Sequence, residues 1–306
     1  MKTKYVVLYG GLGNQLFQIG RAISQNNFEK IEVLLDYGNY RMNSDGLPEI
    51  ASFAWPTNLR FCKHRKRNIF AQKLLNYAIR LSTSEHRKFM KGNVQFWLNV
   101  FLTLNLKRVV RVKIANGIGF CDLDGERYSL HIGYFQSYKF IKNMEIIRDV
   151  KLKNYSQNLL SNINLLRAQD PIILHIRLGD YKNNPQFGVL GEEYYLQSIN
   201  ILMDVAYYRK IWVFSDDIHM TKKYFKNLAN DFQLRFISTE ELNTSETFEL
   251  MRHGSRYVIA NSTFSWWAAF LTVNENAKVI APVPWFSMMK DPVDILPLTW
   301  KKLDRM

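Results

Sequence analysis

The sequence predicts an α/β protein in two Rossmann-like halves, and three observations carry that expectation. Through the second half of the chain, short apolar β-type runs alternate with helical stretches, the pattern of a parallel sheet covered by helices. The chain also opens on a strand, a glycine loop and a helix. Several apolar runs end in clusters of polar side chains, and the carboxyl edge of an open α/β sheet is where ligands bind. At 306 residues there is room for two domains. They are expected at 1–168 and 169–306, facing across a cleft.

The first strand covers residues 5–8 and runs into Gly10-Gly11-Leu12-Gly13-Asn14-Gln15, after which Leu16, Phe17, Ile19 and Ile23 keep helical spacing. Such a loop lets backbone N–H groups approach a phosphate or a sugar at the helix N-terminus. A G-x-G-x-x-G dinucleotide fingerprint would need glycine where Leu16 stands. Asp36, after the next strand at 31–35, keeps a nicotinamide reading open because it lies where a ribose-binding acid would. Residues 38–48 read as a polar excursion and 69–81 as a helix. The apolar run 94–106 is too short to span a bilayer and carries Gln95, Asn99 and Asn105; a buried helix is expected, with an interfacial helix as the alternative. Asp122-Leu123-Asp124 is a D-x-D set in a turn before a strand at 128–132. Gly133 to Ser137 form a polar-aromatic strand exit, followed by helices at 138–149 and 155–168.

Asp170-Pro171 stops the second of these helices, and a strand over 172–176 begins the second half. Strands follow at 211–214, 234–237, 256–260 and 278–281. Helices are expected between them, ending near 207, then at 220–228, 247–253 and 264–272.

With 41 Lys and Arg against 27 Asp and Glu, the formal charge is +14, which favours an anionic partner. The densest positive block is 60–67, RFCKHRKR. It reads either as a solvated face or as contact with an anionic membrane surface. No RNA-recognition signature accompanies it, so nucleic acid is not expected as a partner. Cys62 and Cys121 match neither a zinc pattern nor a disulfide framework. The start of the chain lacks the pattern of a signal peptide. A cytoplasmic location, peripheral to the inner face of the membrane, is expected.

Three strand exits in the second half carry the chemistry. His175-Ile176-Arg177-Leu178-Gly179-Asp180-Tyr181 offers an imidazole, a guanidinium, a glycine for close approach and a carboxylate. Phe214-Ser215-Asp216-Asp217 puts carboxylates at the same edge, suited to guanine's paired N–H groups or to capping the next helix. Asn261-Ser262-Thr263-Phe264-Ser265-Trp266-Trp267 brings hydroxyls and free backbone N–H groups together at a strand-to-helix junction.

Together with Gly10 to Gln18, these motifs resemble those of the alpha-1,2-fucosyltransferase family, glycosyltransferase family 11, in that family's order and over nearly the whole chain. The resemblance is to bacterial members that build O-antigen or capsule units. It implies the two-Rossmann GT-B fold, GDP-fucose as donor, a galactoside 2-hydroxyl as acceptor, inversion at the anomeric carbon and no metal or other cofactor. The acceptor it implies is a galactose-containing oligosaccharide, with a lipid-diphosphate-linked form among the alternatives. On this resemblance Arg177 and His175 meet the donor diphosphate or ribose, Asp216 or Asp217 the guanine, and Asn261, Ser262, Thr263 and Ser265 the second wall of the phosphate site. Gly11, Gly13, Asn14 and Gln15 face the acceptor. Asp180 and His175 are the base candidates, with Asp36 a distant third. Leu178 stands where the family motif often has a second arginine. Transfer of another GDP-deoxyhexose such as colitose is the close alternative. A nicotinamide-dependent oxidoreductase and an anionic-surface binding module are the distant ones.

Overall fold

The computed structural model describes residues 3–24, 30–63, 69–84, 87–119, 127–141, 144–203, 210–225 and 232–305. It divides into two compact units: residues 1–151 with 292–295, and residues 152–291 with 296–306. This division falls ahead of the 168/169 boundary expected from the sequence. The helix Gln157–Gln169 lies in the second unit, where Asn162 Oδ1 accepts from Arg235 at 2.6 Å and Asn162 Nδ2 donates to Glu241 at 3.1 Å.

The first unit is built from β1 (Thr3–Val6), β2 (Tyr9–Gly10), α1 (Leu12–Ile23), β3 (Lys30–Leu34), β4 (Asn39–Tyr40), β5 (Leu59–Cys62), α2 (Ile69–Ser82), α3 (Lys88–Leu106), β6 (Val112–Ile114), β7 (Leu130–Ile132) and α4 (Met144–Arg148). Its main sheet has the order β5-β3-β1-β7-β6 with every pair parallel. Tyr5, Val7, Leu34, Val112, Ile114, Leu130 and Ile132 form one core with Leu75, Ala78, Leu98 and Leu102 of the covering helices.

The second unit contains α5 (Gln157–Gln169), β8 (Ile172–Ile176), α6 (Glu192–Leu202), β9 (Lys210–Ser215), α7 (Ile218–Tyr224), β10 (Gln233–Ile237), α8 (Thr244–Met251), β11 (Arg256–Val258), α9 (Thr263–Phe270), β12 (Lys278–Val283) and β13 (Lys301–Asp304). The order β10-β9-β8-β11-β12-β13, again all parallel, is the doubly wound order with its first strand at the centre. β8 is buried at all five positions, as a central strand covered on both faces must be. Ser156 Oγ accepts from Leu159 N at the start of α5. At its other end Asp170 turns left-handed (φ 42°) before Pro171. Each unit is thus an α/β parallel-sheet unit of the Rossmann type, the pair of units that a GT-B-like enzyme is made from.

Several expectations need correction. Residues 138–149 are not one helix but a short 3-10 turn at Tyr138–Phe140 and α4. The run 94–106 belongs to a longer α3 that buries one face only: Val94, Leu98 and Leu102 are covered, while Phe96, Trp97 and Leu104 are exposed. β5 overlaps the start of the basic block, and β13 is a strand beyond those expected. The D-x-D at 122–124, Cys121 and residues 64–67 of the basic block lie outside the described residues. No described helix is long and apolar enough to cross a membrane.

Candidate active site

In a doubly wound sheet the ligand crevice opens where the strand order reverses. In the second unit that point lies between β8 and β11, which pair through Ile172 to Leu174 and Arg256 to Val258. Two of the three polar exits read from the sequence leave these two strands, and the third leaves β9, paired with β8 on its other side.

Arg177 sits at the centre. Its Nη2 lies 2.7 Å from Asp180 Oδ1 and its Nε 3.2 Å from Asp216 Oδ2, while the guanidinium rests 5.4 Å from the centroid of the Tyr181 ring. This leaves Nη1 without a partner among the described residues. Asp216 also accepts from Leu178 N at 2.9 Å, so one carboxylate fixes the turn by a hydrogen bond and pairs with the guanidinium by charge, Nε making no hydrogen bond among the described residues. A Cβ at Gly179 would collide with Asp216 Oδ2, so a larger residue there would push that carboxylate away from Arg177. Asp180 differs from Asp216 in exposure, 60% against 21% of the side chain. An exposed i,i+3 ion pair of that kind contributes little and exchanges readily.

His175 is buried against the Phe264 ring, and its Nδ1 has no hydrogen-bond partner among the described residues. Burial, with the Arg177 charge behind it, pushes the imidazole down to about 3. It is therefore neutral at physiological pH.

Some of the sequence candidates are committed to the fold. Asp217 caps α7, accepting from Met220 N at 2.9 Å. The Asn261 side chain donates to Phe187 O, and its carbonyl accepts from the Tyr181 hydroxyl. Ser265 Oγ donates to Ser262 O at 3.2 Å. Ser262 makes no side-chain cap bond at the start of α9. The first-turn amides of a helix have no intrahelical acceptor, so this end of α9 offers N–H donors, with the Thr263 hydroxyl beside them.

In the first unit the order reverses between β1 and β7, and Gln136 Nε2 donates to Asn14 Oδ1 across that point at 3.1 Å. Gln136, which the sequence puts at a strand exit without naming it a candidate, is thereby brought beside the candidate Asn14. The glycine loop is not a phosphate cradle: Glu49 Oε2 accepts from Leu12 N at 2.6 Å. A diphosphate placed there would meet a like charge. Gly11 faces Arg41, and Gly13 is buried within α1. Gln15 is fully buried, donating to Gly10 O and Arg41 O and accepting from Ile50 N. It closes the loop rather than presenting an amide to a ligand.

The same unit holds a pocket of about 710 Å³ beyond β3 and β5, lined by Asp36, Asn39, Tyr40, Lys63, Gln72 and Asn76 among others. Its size is within the range of small-molecule sites, and its walls carry amides, one acid and one lysine.

The Glycosyl transferase family 11 profile matches residues 123–300, more than half of the chain. The chain belongs to glycosyltransferase family 11. It is 28% identical to an alpha-1,2-colitosyltransferase of Escherichia coli, over 97% of this chain and 98% of that protein. It is 29% identical to the O-antigen biosynthesis glycosyltransferase WbnK of Escherichia coli, over 92% and 95%. Among solved structures it is similar to POFUT1 in complex with GDP-fucose, at TM-score 0.48 and 12% identity over 91% of this chain and 97% of that one. A NodZ alpha-1,6-fucosyltransferase soaked with GDP-fucose gives TM-score 0.45 and 11% identity over 89% and 92%. The protein is accordingly a glycosyltransferase, and its second unit lies largely within the matched region.

Proposed function

We propose that this glycosyltransferase moves L-fucose from GDP-fucose to the 2-hydroxyl of a galactoside, with inversion and without a metal, in the synthesis of O-antigen or a related surface glycan. The observation that carries the reading is Arg177 at the reversal point of the second unit, ion-paired with Asp216 and resting on Tyr181, whose hydroxyl donates to Asn261 O just ahead of α9. A departing nucleoside diphosphate needs fixed positive charge and N–H donors. A guanidinium fork and a helix N-terminus supply both.

Donor binding then has a defined consequence. A phosphate oxygen takes the Arg177 Nη1 and displaces the exposed Asp180 from Nη2, while Asp216 stays on Nε. Asp180, released, is the group that removes the proton from the attacking hydroxyl as the bond to GDP breaks. His175 is unsuited to that task, since a group held at about 3 is a weak base; it lines the donor site as a neutral ring. With Asp217 holding α7 and Asp216 holding Arg177, the guanine is read by whatever valence these carboxylates leave free. On the acceptor side, Asn14 and the pocket at Asp36 and Asn39 receive the galactoside, which reaches the enzyme on a lipid diphosphate at a membrane surface.

Purified protein in EDTA is expected to release GDP from GDP-fucose only when a galactoside is added. Release with none of a panel of galactosides would overturn the fucose reading. The 28% identity to a colitosyltransferase over nearly the full length of both chains favours GDP-colitose as the second reading, and running both donors against one acceptor panel separates them.

A further inference from the structure

The net charge of this chain is concentrated in one stretch. Residues 60–119 hold 14 of the 41 Lys and Arg but only one of the 27 Asp and Glu, Glu85, and so carry +13 of the +14. The same stretch forms α2 and α3, which pack together, with Phe70 5.0 Å from Phe101 and Trp97 stacked on Phe101 at 5.9 Å.

Both helices leave an apolar face uncovered. At 3.6 residues per turn, positions 89, 96, 97, 100 and 104 of α3 fall within an arc of roughly 100°, opposite the buried Lys91, Val94, Leu98 and Leu102. Phe89, Phe96, Trp97 and Leu104 on that arc are exposed, the first by 83%. On α2 the exposed Ile69 and Phe70 share their face with Lys73 and Arg80. Arg87 and Lys88 stand at the amino end of α3 and Lys107 at its carboxyl end, all exposed. Exposed aromatics clustered at this density mark a contact surface. Aromatic and leucine side chains ringed by lysine and arginine, with no acid on either helix, fit the boundary between lipid headgroups and acyl chains.

We propose that the α2–α3 face docks on an anionic bilayer, with Phe89, Phe96 and Trp97 entering the headgroup boundary while Lys73, Arg80 and Lys88 meet lipid phosphates. This goes beyond the choice of sugar donor and does not depend on it.

The test is flotation of the full chain with phosphatidylcholine vesicles, with and without phosphatidylglycerol, at about 0.1 M salt. Binding is expected with the anionic vesicles only and falls as salt rises. Each basic residue near such a surface is worth roughly five-fold in partition, so Lys73→Glu with Arg80→Glu is expected to lower it at least ~25-fold. Phe96→Ser with Trp97→Ser is expected to lower it at least ~10-fold with the thermal melt unchanged, a control that needs no sugar substrate. Failure of the wild type to float with anionic vesicles would overturn the proposal, as would equal flotation of both variants. A concentration-dependent dimer, or retention on RNA, that the same substitutions abolish in the absence of vesicle binding would assign the face to another partner and also overturn it.

Discussion

Arg177 is held by one carboxylate that stays and one that exchanges, and the two should separate by substitution. Arg177→Ala is expected to lower turnover at least ~100-fold, the effect of deleting a principal donor to developing negative charge, and Arg177→Lys should not restore it because an ammonium lacks the planar fork whose separate N–H groups meet a carboxylate on one edge and a phosphate on the other. Near-normal turnover of either variant would remove Arg177 from the diphosphate role. Asp180→Asn is expected to lower kcat by about 100-fold or more, leaving the KM for donor near its original value or lower, because a competitor for the guanidinium has lost its charge. A raised donor KM with intact kcat would instead make Asp180 a binding residue. The sequence puts Arg177 and Asp180 at the exit of one strand and Asp216 or Asp217 at the exit of its neighbour, and assigns the latter pair to guanine; the structure pairs Asp216 with Arg177. The sequence does not show which carboxylate faces inward: Asp216 and Asp217 are adjacent and chemically identical, and only the start of α7 decides that Asp217 caps it. Gln15 was misread for a similar reason, since an amide beside glycines reads alike whether it meets a ligand or the chain's own Gly10, Arg41 and Ile50.

Among the elements, the central strands were legible and the edges were not. Ile172–Ile176 was read to the residue because a strand buried on both faces is apolar throughout. β13, Lys301–Asp304, has three of its four residues exposed and is a strand only because β12 offers it a ladder. β5 was hidden within a charge block, and the two-residue β2 and β4 have no periodicity to detect. α3 was recognised as a helix but its outward apolar face could not be told from an inward one, since Phe and Trp on both sides of a helix read as burial. The start of α1 carries its own prediction. Glu49 reaches back from the 3-10 turn Glu49–Ser52 to the Leu12 amide, an anion at a helix N-terminus supplied from within the chain. Glu49→Ala leaves a buried N–H unsatisfied, and denaturant unfolding should show a loss of about 1–3 kcal/mol. A loss confined to catalysis, with stability unchanged, would mean that the terminus serves a ligand.

At the scale of the whole molecule, three buried basic groups set the acid limit of stability. Burial and neighbouring cations hold His131 down to about 2, and burial with Arg177 holds His175 down to about 3. Burial and Arg21 bring Lys4, which lies 2.9 Å from His131 Nδ1, down to about 6. In each case the unfolded chain binds a proton that the folded protein refuses, so the free energy of unfolding rises with pH across the gap between the two pKa values. For Lys4 that gap runs from about 6 up to 10.5, and for the histidines from about 2 or 3 up to 6.5. Glu249, lowered despite its burial by His253, Arg252 and Tyr155, adds a loss only below the ordinary glutamate value of 4.5. Lys4 still contributes down to about 6, so the interval from about 6 to about 4.5 is the one the histidines dominate. Each pH unit there approaches about 1.4 kcal/mol per histidine, so the melting temperature should fall steadily as the pH is lowered from about 6 to about 4.5. The His175→Gln variant, whose side chain does not titrate, should show a shallower fall than the wild type. A melting temperature that stays flat across this interval would mean that His131 and His175 take up protons without unfolding, and that their surroundings admit water or an anion in the folded state.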